Sequence, residues 1–431
     1  MVTLGIIAEY NPFHNGHLYH LKKAKELSGA EYTIAVMGGN FLQRGEPAFW
    51  NKWIRTEMAL AAGIDLIIEL PFVFASQDAR GFAQAGVRIL DSLGVVDYIT
   101  FGCENKEIEI FSQLAHLIRK EPPYFKKILK EELKKGLNFP EAREKAAISY
   151  YQKYKLSTEE VPLNVIKEIL RQSNSILALE YIIALQSLKS SIKPLPIMRI
   201  GSDFLQDKWE GQFSSATAIR KLAYQYYYSL KTEILEKLKI GLPETSFQMI
   251  MNGLKQDVNP VTGASFGQCI LAKLRSATIL DLKNINGVEE GLENKLKNAA
   301  DSSETIEELI NATKSKRYTY TRVQRIMIHS LFNLTKKEVN FFNKSGPLYC
   351  RILGMTEKGR TILKKAKPVS KLPIVLKLKS FYKKSRTPGN KEILRMLDYD
   401  ILATDLYVLA YHKKGLGKGK QDFSRKVILI Q

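Results

Sequence analysis

The sequence is poor in cysteine, with only Cys103, Cys269 and Cys350 among 431 residues. The three lie too far apart for a CxxC metal knuckle. Their scarcity and odd number are typical of a chain that is kept reduced in the cytosol. We therefore expect neither a structural disulfide nor a zinc ribbon.

Long apolar runs and a leader segment are also missing. No stretch reaches the roughly 18 consecutive apolar residues that a membrane-spanning helix needs, and residues 1–7 lack the basic start of a signal peptide. The composition, 45% hydrophobic and 25% charged, excludes a disordered chain and suffices for two or three domains with their own cores. We expect a soluble, cytoplasmic protein without membrane contact.

Acidic residues become scarce toward the C-terminus. Residues 1–250 carry 31 basic and 28 acidic side chains, whereas residues 251–431 carry 34 and 16, so the second part supplies +18 of the net charge of +21. Solubility requires a net charge of only about 2 to 8 for a small domain. The excess favours a nearly neutral catalytic module beside a module that binds a polyanion such as nucleic acid. Lysines that merely keep the chain soluble are the alternative.

The first hundred residues alternate short apolar runs with amphipathic stretches, which is the pattern of strands and crossover helices in a parallel sheet. The predicted strands are 3–7, 32–37, 66–70 and 98–101, and the predicted helices are 16–27, 52–62 and 79–93. This pattern predicts a doubly wound, Rossmann-like α/β fold.

The remaining chain is predicted to be mostly helical. Residues 106–190 look like a helical elaboration of the first domain, followed by a strand at 195–200 and a serine-capped helix from 214. We expect the α/β domain to span 1–230, a mainly helical domain to span 231–345, and a basic α+β region that binds the nucleic acid to span 346–431.

The strongest motif, N-P-F-H-N-G-H at residues 11–17, lies between the first strand and the first helix. A turn there places backbone N–H groups and the positive end of the helix dipole beneath an anion, and Gly16 lets phosphates approach the main chain. The imidazoles of His14 and His17 add donors that can stabilise the charge on a departing pyrophosphate. We favour a nucleotide-phosphate site.

A zinc site and a purely structural capping turn are the two alternatives for this motif. A zinc site lacks a third ligand nearby, because His20 would continue the helix and the chain has no HExxH. A purely structural capping turn stays open.

The motif and its surroundings resemble the HxGH-type nucleotidylyltransferases and, within them, the bacterial tRNA(Met) cytidine acetate ligases. The similarity covers GIIAEYNPFHNGH at 5–17, GGNFLQRGEPA at 38–48, DLIIELPF at 65–72 and FGCE at 101–104, and it is looser over the rest of the chain. It implies that ATP activates acetate as acetyl-adenylate with loss of pyrophosphate, and that the acetyl group passes to N4 of the wobble cytidine of elongator tRNA(Met). Mg²⁺ is expected with ATP, and no protein partner is implied.

The resemblance also implies site residues. The ATP-binding positions are Ile7, Ala8, Glu9, Tyr10, Asn11, Pro12, Phe13, His14, Asn15, Gly16, His17, Leu18, Tyr19, His20, Gly102, Asn174, Arg199, Ser215 and Thr217. His14 and His17 would contact the phosphates, and Arg220 would join them as a bidentate phosphate ligand. Residues 215–220, SATAIR, match the superfamily pattern Ser-Ser-Thr-x-Ile-Arg except at Ala216. A helix N-cap is the alternative for Asn174, and a solvated helix residue is the alternative for Arg220.

Four polar residues near the second strand are further candidates. Arg44 and Lys52 flank a loop that faces the same sheet edge as His14, so both can reach phosphate or substrate, and Lys52 is added to the catalytic set. Ordinary surface charge is the alternative for both. Asn40 and Gln43 are candidates for contacting acetate or the cytosine edge.

The predicted RNA contacts fall in two basic segments interrupted by aromatics, 316–325 and 377–386. They are Arg317, Tyr318, Arg322, Arg325, Lys383, Lys384 and Arg386. Cations for the backbone and aromatics for stacking suit an exposed anticodon loop. A core helix would also explain Tyr318.

The sequence leaves two rival functions open. A small-molecule adenylyltransferase would share the first motif but would not require the basic C-terminal part. A non-catalytic RNA-binding protein with a nucleotide-binding fold would not require His14, His17 and Arg220.

Overall fold

The computed structural model describes residues 2–105, 107–154, 156, 162–200, 209, 211–289, 291–387 and 389–430. The strands within these residues are β1 (Thr3–Ala8), β2 (Tyr32–Gly38), β3 (Leu66–Leu70), β4 (Tyr98–Cys103), β5 (Lys193–Met198), β6 (Cys350–Met355), β7 (Ile374–Val375) and β8 (Ile428–Leu429). The helices of the first half are α1 (Asn15–Ser28), α2 (Lys52–Ala61), α3 (Phe72–Ala75), α4 (Ala79–Ser92), α5 (Ile108–Lys120), α6 (Pro123–Lys134), α7 (Phe139–Lys153), α8 (Leu163–Arg171), α9 (Ser173–Leu188) and α10 (Ala216–Ser229). Those of the second half are α11 (Thr232–Gly241), α12 (Glu244–Lys255), α13 (Gly267–Ser276), α14 (Ile279–Asn284), α15 (Leu292–Ser302), α16 (Ile306–Thr313), α17 (Tyr320–Leu331), α18 (Lys336–Ser345), α19 (Glu357–Ala366), α20 (Leu378–Lys384), α21 (Lys391–Tyr407) and α22 (Gln421–Ser424).

The central sheet runs in the order β5-β4-β1-β2-β3-β6-β7, and β8 also pairs with β6. Neighbouring strands from β5 to β3 are parallel, whereas β6 is antiparallel to β3. Because β2 and β3 lie on one side of β1 and β4 and β5 lie on the other, the strand order reverses beside β1. Ligands of doubly wound sheets bind at the carboxyl ends of the strands at such a point. The predicted α/β class is confirmed.

The first four strands and their helices form where the apolar pattern predicts them. All five residues of β3 are buried, as is typical of parallel strands that are covered on both faces. Side chains cap the crossover helices: Asn51 accepts from Trp53 N and Ile54 N at the start of α2, and Asp78 accepts from Gly81 N at the start of α4. Across the described part of the chain, no helix is long and apolar enough to span a membrane.

Two apolar layers cover the faces of the sheet. Successive strand residues point to opposite faces, so Ile6 and Ile67 pack in one cluster while Ile7 and Ile68 pack in the other. The first cluster includes residues of α2, α10 and α12, and the second includes residues of α4, α5 and α9. These layers hold the carboxyl ends of β1 and β4 rigidly together.

The sheet extends beyond the predicted boundary near residue 230. Strands β6, β7 and β8 come from the C-terminal region, and β6 pairs along β3. Helix α21 also docks on α3, where Asp400 Oδ1 accepts a hydrogen bond of 2.7 Å from Phe72 N. The expectation that the α/β part closes at 230 is therefore wrong. The physical reason is that β3 would otherwise be an unpaired edge, with exposed backbone groups that another strand must cover.

A buried ion cluster joins the C-terminal region to the first hundred residues. Lys52 Nζ lies 2.7 Å from Glu69 Oε1 and 2.8 Å from Asp422 Oδ1, and Arg351 pairs with the same two carboxylates. All four side chains are at most 6% exposed. Burial opposes ionisation of Asp422, but Arg351 and Lys52 together lower its pKa to about 2. The cluster therefore ties α2, β3, β6 and α22 into one body.

Candidate active site

A cleft opens where the strand order reverses, at the carboxyl ends of β1 and β4. Its polar lining consists of Glu9, Asn11, His14, His17, Tyr19, His20, Gln43, Arg44, Glu46, Thr100, Asn174, Arg199, Ser214, Ser215, Thr217 and Arg220. Apolar walls are formed by Ile7, Phe82, Leu177, Ile197, Met198, Ile200 and Phe213. The cleft thus combines one strongly polar end with surfaces that suit a planar, weakly polar group.

The turn after β1 is anchored by buried side chains. Tyr10 has a left-handed backbone, with φ of 47°, and the Asn11–Pro12 peptide bond is cis. Phe13 is fully buried, and its ring centroid lies 4.8 Å from that of Tyr10. Asn11 Oδ1 accepts from Phe49 N at 2.7 Å. These contacts reverse the chain so that α1 begins with its N-terminus at the cleft.

His14 and His17 form reciprocal caps at the start of α1. His14 Nδ1 accepts from Gly16 N at 3.0 Å, and His17 Nδ1 accepts from His14 N at 3.2 Å. A neutral imidazole carries one hydrogen, so both rings must carry it on Nε2. The ring centroids lie 3.8 Å apart, and the two ring planes are tilted by 33° to each other. The capping turn, which the sequence left as an alternative, thus exists and fixes both rings as Nε2–H donors beside a helix N-terminus.

Burial keeps the imidazoles of the cleft neutral. It lowers the pKa of His14 to about 3, with smaller contributions from Arg199 and Arg220. It also lowers the pKa of His17 well below the usual value, and that of His20 to about 4. At neutral pH the cleft therefore offers imidazole N–H dipoles, and its formal positive charge comes from arginine.

Arg220 brings a guanidinium to the polar end. Its Nη1 donates to Asn11 O at 3.0 Å, and its Nη2 lies 3.3 Å from Thr217 Oγ1 and 3.4 Å from Glu46 Oε1. This side chain is 16% exposed, so the alternative of a solvated helix residue is wrong. Ser215 caps α10 by accepting from Ala218 N at 3.1 Å. A second helix N-terminus therefore faces the same cleft.

Asn174 lies in the first turn of α9 and is held by Glu104. Its Nδ2 donates to Glu104 Oε1 at 2.6 Å, while Ser175 N and Oγ donate to Oε2. The N-cap of α9 is Gln172, so the alternative that Asn174 caps the helix is wrong.

Gly102, at the end of β4, lies close to the side chain of Arg199. A Cβ at Gly102 would lie 3.3 Å from Arg199 Cγ, so the aliphatic part of the arginine crosses directly over this glycine.

Arg55 lies behind the cleft and holds its backbone in place, although no sequence pattern predicts such a role for this residue. This fully buried side chain donates to Glu9 O at 2.5 Å, to Gly38 O at 3.0 Å and to Gly39 O. Glu9 in turn accepts from Gln43 N at 2.8 Å. Arg55 therefore holds the carboxyl ends of β1 and β2 together, which only the tertiary structure reveals.

Most of the predicted residues lie at the cleft, but some do not. Those that line it are Ile7, Ala8, Glu9, Tyr10, Asn11, His14, Gly16, His17, Tyr19, His20, Gln43, Arg44, Gly102, Asn174, Arg199, Ser215, Thr217 and Arg220. Phe13 and Leu18 pack in an apolar cluster instead, Pro12 is buried, and Asn15 Nδ2 donates to the carbonyls of Gln212 and Ile240. These four are absent from the lining: Pro12 and Phe13 belong to the turn before α1, and Asn15 and Leu18 lie on a face of α1 turned away from the cleft.

The prediction that Lys52 is a catalytic residue is wrong. Its ammonium group is buried in the ion cluster with Glu69 and Asp422 and does not line the cleft. Asn40 is also removed from the site, because its Nδ2 donates to Thr404 and its Oδ1 accepts from Lys52 N. Both side chains are occupied by partners that the sequence could not place beside them.

The predicted RNA contacts separate into two groups. Lys383, Lys384 and Arg386 are exposed around the end of α20. Arg317 and Arg322 both pair with Glu289, at 2.8 and 2.5 Å.

Two other predicted RNA contacts are not surface groups. Tyr318 belongs to the core, so the prediction that its ring stacks on RNA bases is wrong. The guanidinium carbon of Arg322 lies 4.7 Å from the centroid of this ring and covers it. Arg325 is half-buried, and its Nη1 lies 3.3 Å from Gln43 O in the cleft loop.

Several lining residues carry no recognisable signal in the sequence. Thr100, Phe82, Tyr181 and Phe213 reach the cleft from β4, α4, α9 and the segment before α10. Glu46 belongs to the 38–48 motif, and its pairing with Arg220 at 3.4 Å gives it a position at the polar end of the cleft. Within the described residues, no group of three or more His, Cys, Asp or Glu side chains could hold a metal ion.

The fold and the cleft define a nucleotide-binding α/β protein with its anion site at the first strand-to-helix junction. The family described as HIGH Nucleotidyl Transferase matches residues 1–422. The tRNA(Met) cytidine acetate ligase of Acetivibrio thermocellus is 42% identical over 431 residues and covers 100% of each chain. That of Caldanaerobacter subterraneus subsp. tengcongensis is 43% identical over 430 residues, again with 100% of each chain covered. The chain therefore belongs to the HIGH nucleotidyl transferase family and, within it, to the tRNA(Met) cytidine acetate ligases.

Solved structures agree with this assignment. The apo crystal structure of Thermotoga maritima TmcAL, form I, has a TM-score of 0.93 and 39% identity, with 100% of each chain covered. Form II, bound with alpha-thio ATP, has a TM-score of 0.91 at the same identity and coverage.

Proposed function

We propose that this chain is an ATP-dependent ligase that converts acetate to acetyl-adenylate and then acetylates N4 of the wobble cytidine of elongator tRNA(Met). The observation that carries this proposal is the polar end of the cleft. Two neutral imidazoles with fixed Nε2–H donors, two helix N-termini and Arg220 converge there. These groups suit a triphosphate, while the apolar walls suit adenine.

In the first step, a carboxylate oxygen of acetate attacks the α-phosphorus of ATP, and the bond from that phosphorus to the bridging oxygen breaks. Pyrophosphate leaves with the added negative charge. His14, His17 and Arg220 donate hydrogen bonds to the phosphate oxygens, so they stabilise charge that grows in the transition state. Because alignment and charge stabilisation suffice, no protein nucleophile is needed.

In the second step, the cytidine N4 attacks the acetyl carbonyl carbon, AMP leaves, and one proton is released from the nitrogen. Gln43 and Arg44 lie at the cleft on the loop after β2, where they can contact acetate or the incoming cytosine. The exposed Lys383, Lys384 and Arg386 are proposed to bind the tRNA backbone together with Arg317.

Mg²⁺ is proposed to enter with ATP, coordinated by phosphate oxygens and water, as is common for this ion. Its contribution would be to neutralise part of the triphosphate charge. The RNA substrate and the sequence composition suggest that the enzyme acts in the cytoplasm.

Acetate-dependent exchange of pyrophosphate into ATP tests the first half-reaction, and mass spectrometry of nucleosides from the incubated tRNA tests the second. We expect exchange with acetate and formation of N4-acetylcytidine. Exchange without the modified nucleoside would favour a small-molecule adenylyltransferase. Absence of exchange, with or without tRNA, would favour the non-catalytic RNA-binding protein.

A further inference from the structure

The contact between Glu104 and Asn174 restricts how Asn174 can meet a ligand. Glu104 follows β4, and Asn174 lies at the start of α9 with its side chain at the cleft. The 2.6 Å contact joins Asn174 Nδ2 to Glu104 Oε1, and a carboxylate oxygen can only accept. A flipped amide would place two acceptor oxygens against each other. The amide orientation is therefore determined by Glu104.

Glu104 is itself held in place by Ser175. The Ser175 N and Oγ donate to Oε2 at 2.9 and 2.6 Å, and a carboxylate at a helix N-terminus is favoured by the helix dipole. Two hydrogen bonds from Ser175 thus fix the carboxylate, and the carboxylate in turn fixes the amide of Asn174. Among the described residues, the hydrogen bond that the structure gives the Asn174 side chain is the one donated by Nδ2. Because Nδ2 faces Glu104, the planar amide turns its Oδ1 away from the carboxylate and leaves that oxygen to accept from a ligand.

We propose that Glu104 is a positioning residue that makes Asn174 an obligate hydrogen-bond acceptor, so that the cleft selects a nucleotide offering a neutral N–H or O–H donor at that point. This inference rests on the proposed function only in taking ATP as the nucleotide. Adenosine has two such sources, the amino group on C6 and the ribose hydroxyls. Leu177 and Met198 line the same cleft and favour a planar base nearby. A keto oxygen in place of the amino group would face Asn174 Oδ1 as a second acceptor.

Binding titrations with nucleotide analogues test the proposal. The wild-type protein is titrated with ATP, purine riboside triphosphate, inosine triphosphate, 2′-deoxy-ATP and 3′-deoxy-ATP. We expect that one of the two donors of adenosine contacts Asn174 Oδ1. If it is the amino group, the two base analogues should bind about 10- to 100-fold more weakly than ATP, and if it is a ribose hydroxyl, one deoxy analogue should do so. The reason is that such an analogue leaves the Asn174 acceptor unpaired. The pattern identifies the donor. Equal binding of all five nucleotides would overturn the proposal.

The variant Glu104→Gln distinguishes a role of Glu104 in orienting the Asn174 amide from a general role in stabilising the fold. Glutamine has the same length but can both donate and accept, so both orientations of the Asn174 amide become accessible. We expect the preference for ATP over the discriminated analogue to shrink to within about threefold. A purely structural role would instead weaken all nucleotides equally and leave the ratio unchanged, which would contradict the proposal.

Two further variants complete the design. Ser175→Ala removes one donor to Glu104 but keeps its contact with Asn174, so the wild-type ratio should persist. Asn174→Ala keeps Glu104 at the helix start and removes the acceptor, so the ratio should be lost even if Glu104→Gln folds poorly. Acetate-dependent exchange with ATP is measured in parallel. Its absence would contradict the proposed function, whereas an unchanged analogue ratio in Asn174→Ala would contradict the role of Asn174 and Glu104.

Discussion

Gly45, in the cleft loop after β2, packs directly against the backbone of Arg325 in α17. A Cβ at Gly45 would lie 2.6 Å from Arg325 Cα, and Gly45 has a φ of +74°. The loop carries Arg44 and Glu46 into the cleft. The helix begins at Tyr320, directly after the segment with Arg317. The loop at the ATP site and the segment predicted to bind RNA are therefore in backbone contact.

Gly45→Ala should reduce both stability and nucleotide affinity. The left-handed conformation costs about 1–2 kcal/mol for a residue with a Cβ, and the overlap with α17 adds about 1–3 kcal/mol. Urea unfolding and ATP titration measure the two effects. Gly29→Ala is the matched control, because Gly29 has a φ of +63° with nothing within 4 Å. Equal losses in the two variants would refute the importance of the contact with Arg325.

His14→Asn should separate capping from catalysis. Asparagine is a good N-cap, so the unfolding free energy should change by less than about 1 kcal/mol. The Nε2–H donor is lost, so acetate-dependent pyrophosphate exchange should fall about 10²- to 10³-fold, as for other preorganised donors. His116→Asn, at an exposed position of α5, is the control and should retain full exchange. Wild-type exchange in His14→Asn would rule out a phosphate role for this ring.

Lys52→Met should act on stability. Removal of one partner from a buried ion cluster leaves a carboxylate uncompensated and costs about 3–5 kcal/mol. Asp422→Asn should also destabilise, and the two losses should not add because both break the same contact. Lys23→Met, at an exposed pair with Glu26, should cost less than about 1 kcal/mol. A fully stable Lys52→Met protein without exchange activity would restore the catalytic assignment.

Stability should fall as the pH drops below about 6.5, where unfolded histidines bind protons. Burial lowers the pKa of His329 to about 4, and its Nε2 lies 3.0 Å from Ser76 O. The folded-state pKa is depressed, so the unfolded state binds more protons between pH 6.5 and 4, and ΔG of unfolding decreases as pH falls.

His329→Gln isolates this contribution. By pH 5 the variant should lose about 1–2 kcal/mol less than the wild type, relative to pH 7.5. His116→Gln, at an exposed position, should follow the wild-type curve. Parallel curves for the wild type and His329→Gln would contradict the neutral, buried state of His329.

Replacement of Lys383, Lys384 and Arg386 by alanine should weaken tRNA binding and lower its salt dependence. Each lost phosphate contact reduces the slope of log K against log salt by about 0.7 for single-stranded RNA, so up to about 2 for three contacts. ATP affinity should stay unchanged. The same charge change at Lys127, Lys130 and Lys134, exposed on α6, is the control. Equal effects of the two triple variants would show a non-specific charge effect.

Deletion of the C-terminal region is unsuitable as a test of tRNA binding, because it would remove three strands of the sheet.

The local parts of the fold were predictable. Strands β1 to β4 and the helices between them follow from apolar periodicity and capping residues such as Asn51 and Asp78. The short strands β7 and β8, with two residues each, carry too little periodic signal. Their place is decided by pairing with β6, which is a contact between distant parts of the chain.

The candidate site was predictable where one segment carries it. The HxGH motif places His14 and His17 at the first strand-to-helix junction, because a single turn links them to the helix start. Lys52 shows the opposite case. Its neighbours in the sequence predict a cation at the sheet edge. In the structure its ammonium group is buried in an ion pair with Asp422, which lies near the far end of the chain.

The sequence by itself determined the α/β class, the anion-binding turn and the charge asymmetry, since each depends on residues close together or on composition. The tertiary structure alone decided which nitrogen of each imidazole donates, which cations reach the cleft, and how Glu104 orients Asn174. These properties depend on hydrogen-bond partners and burial. Both are created when segments far apart in the chain pack together.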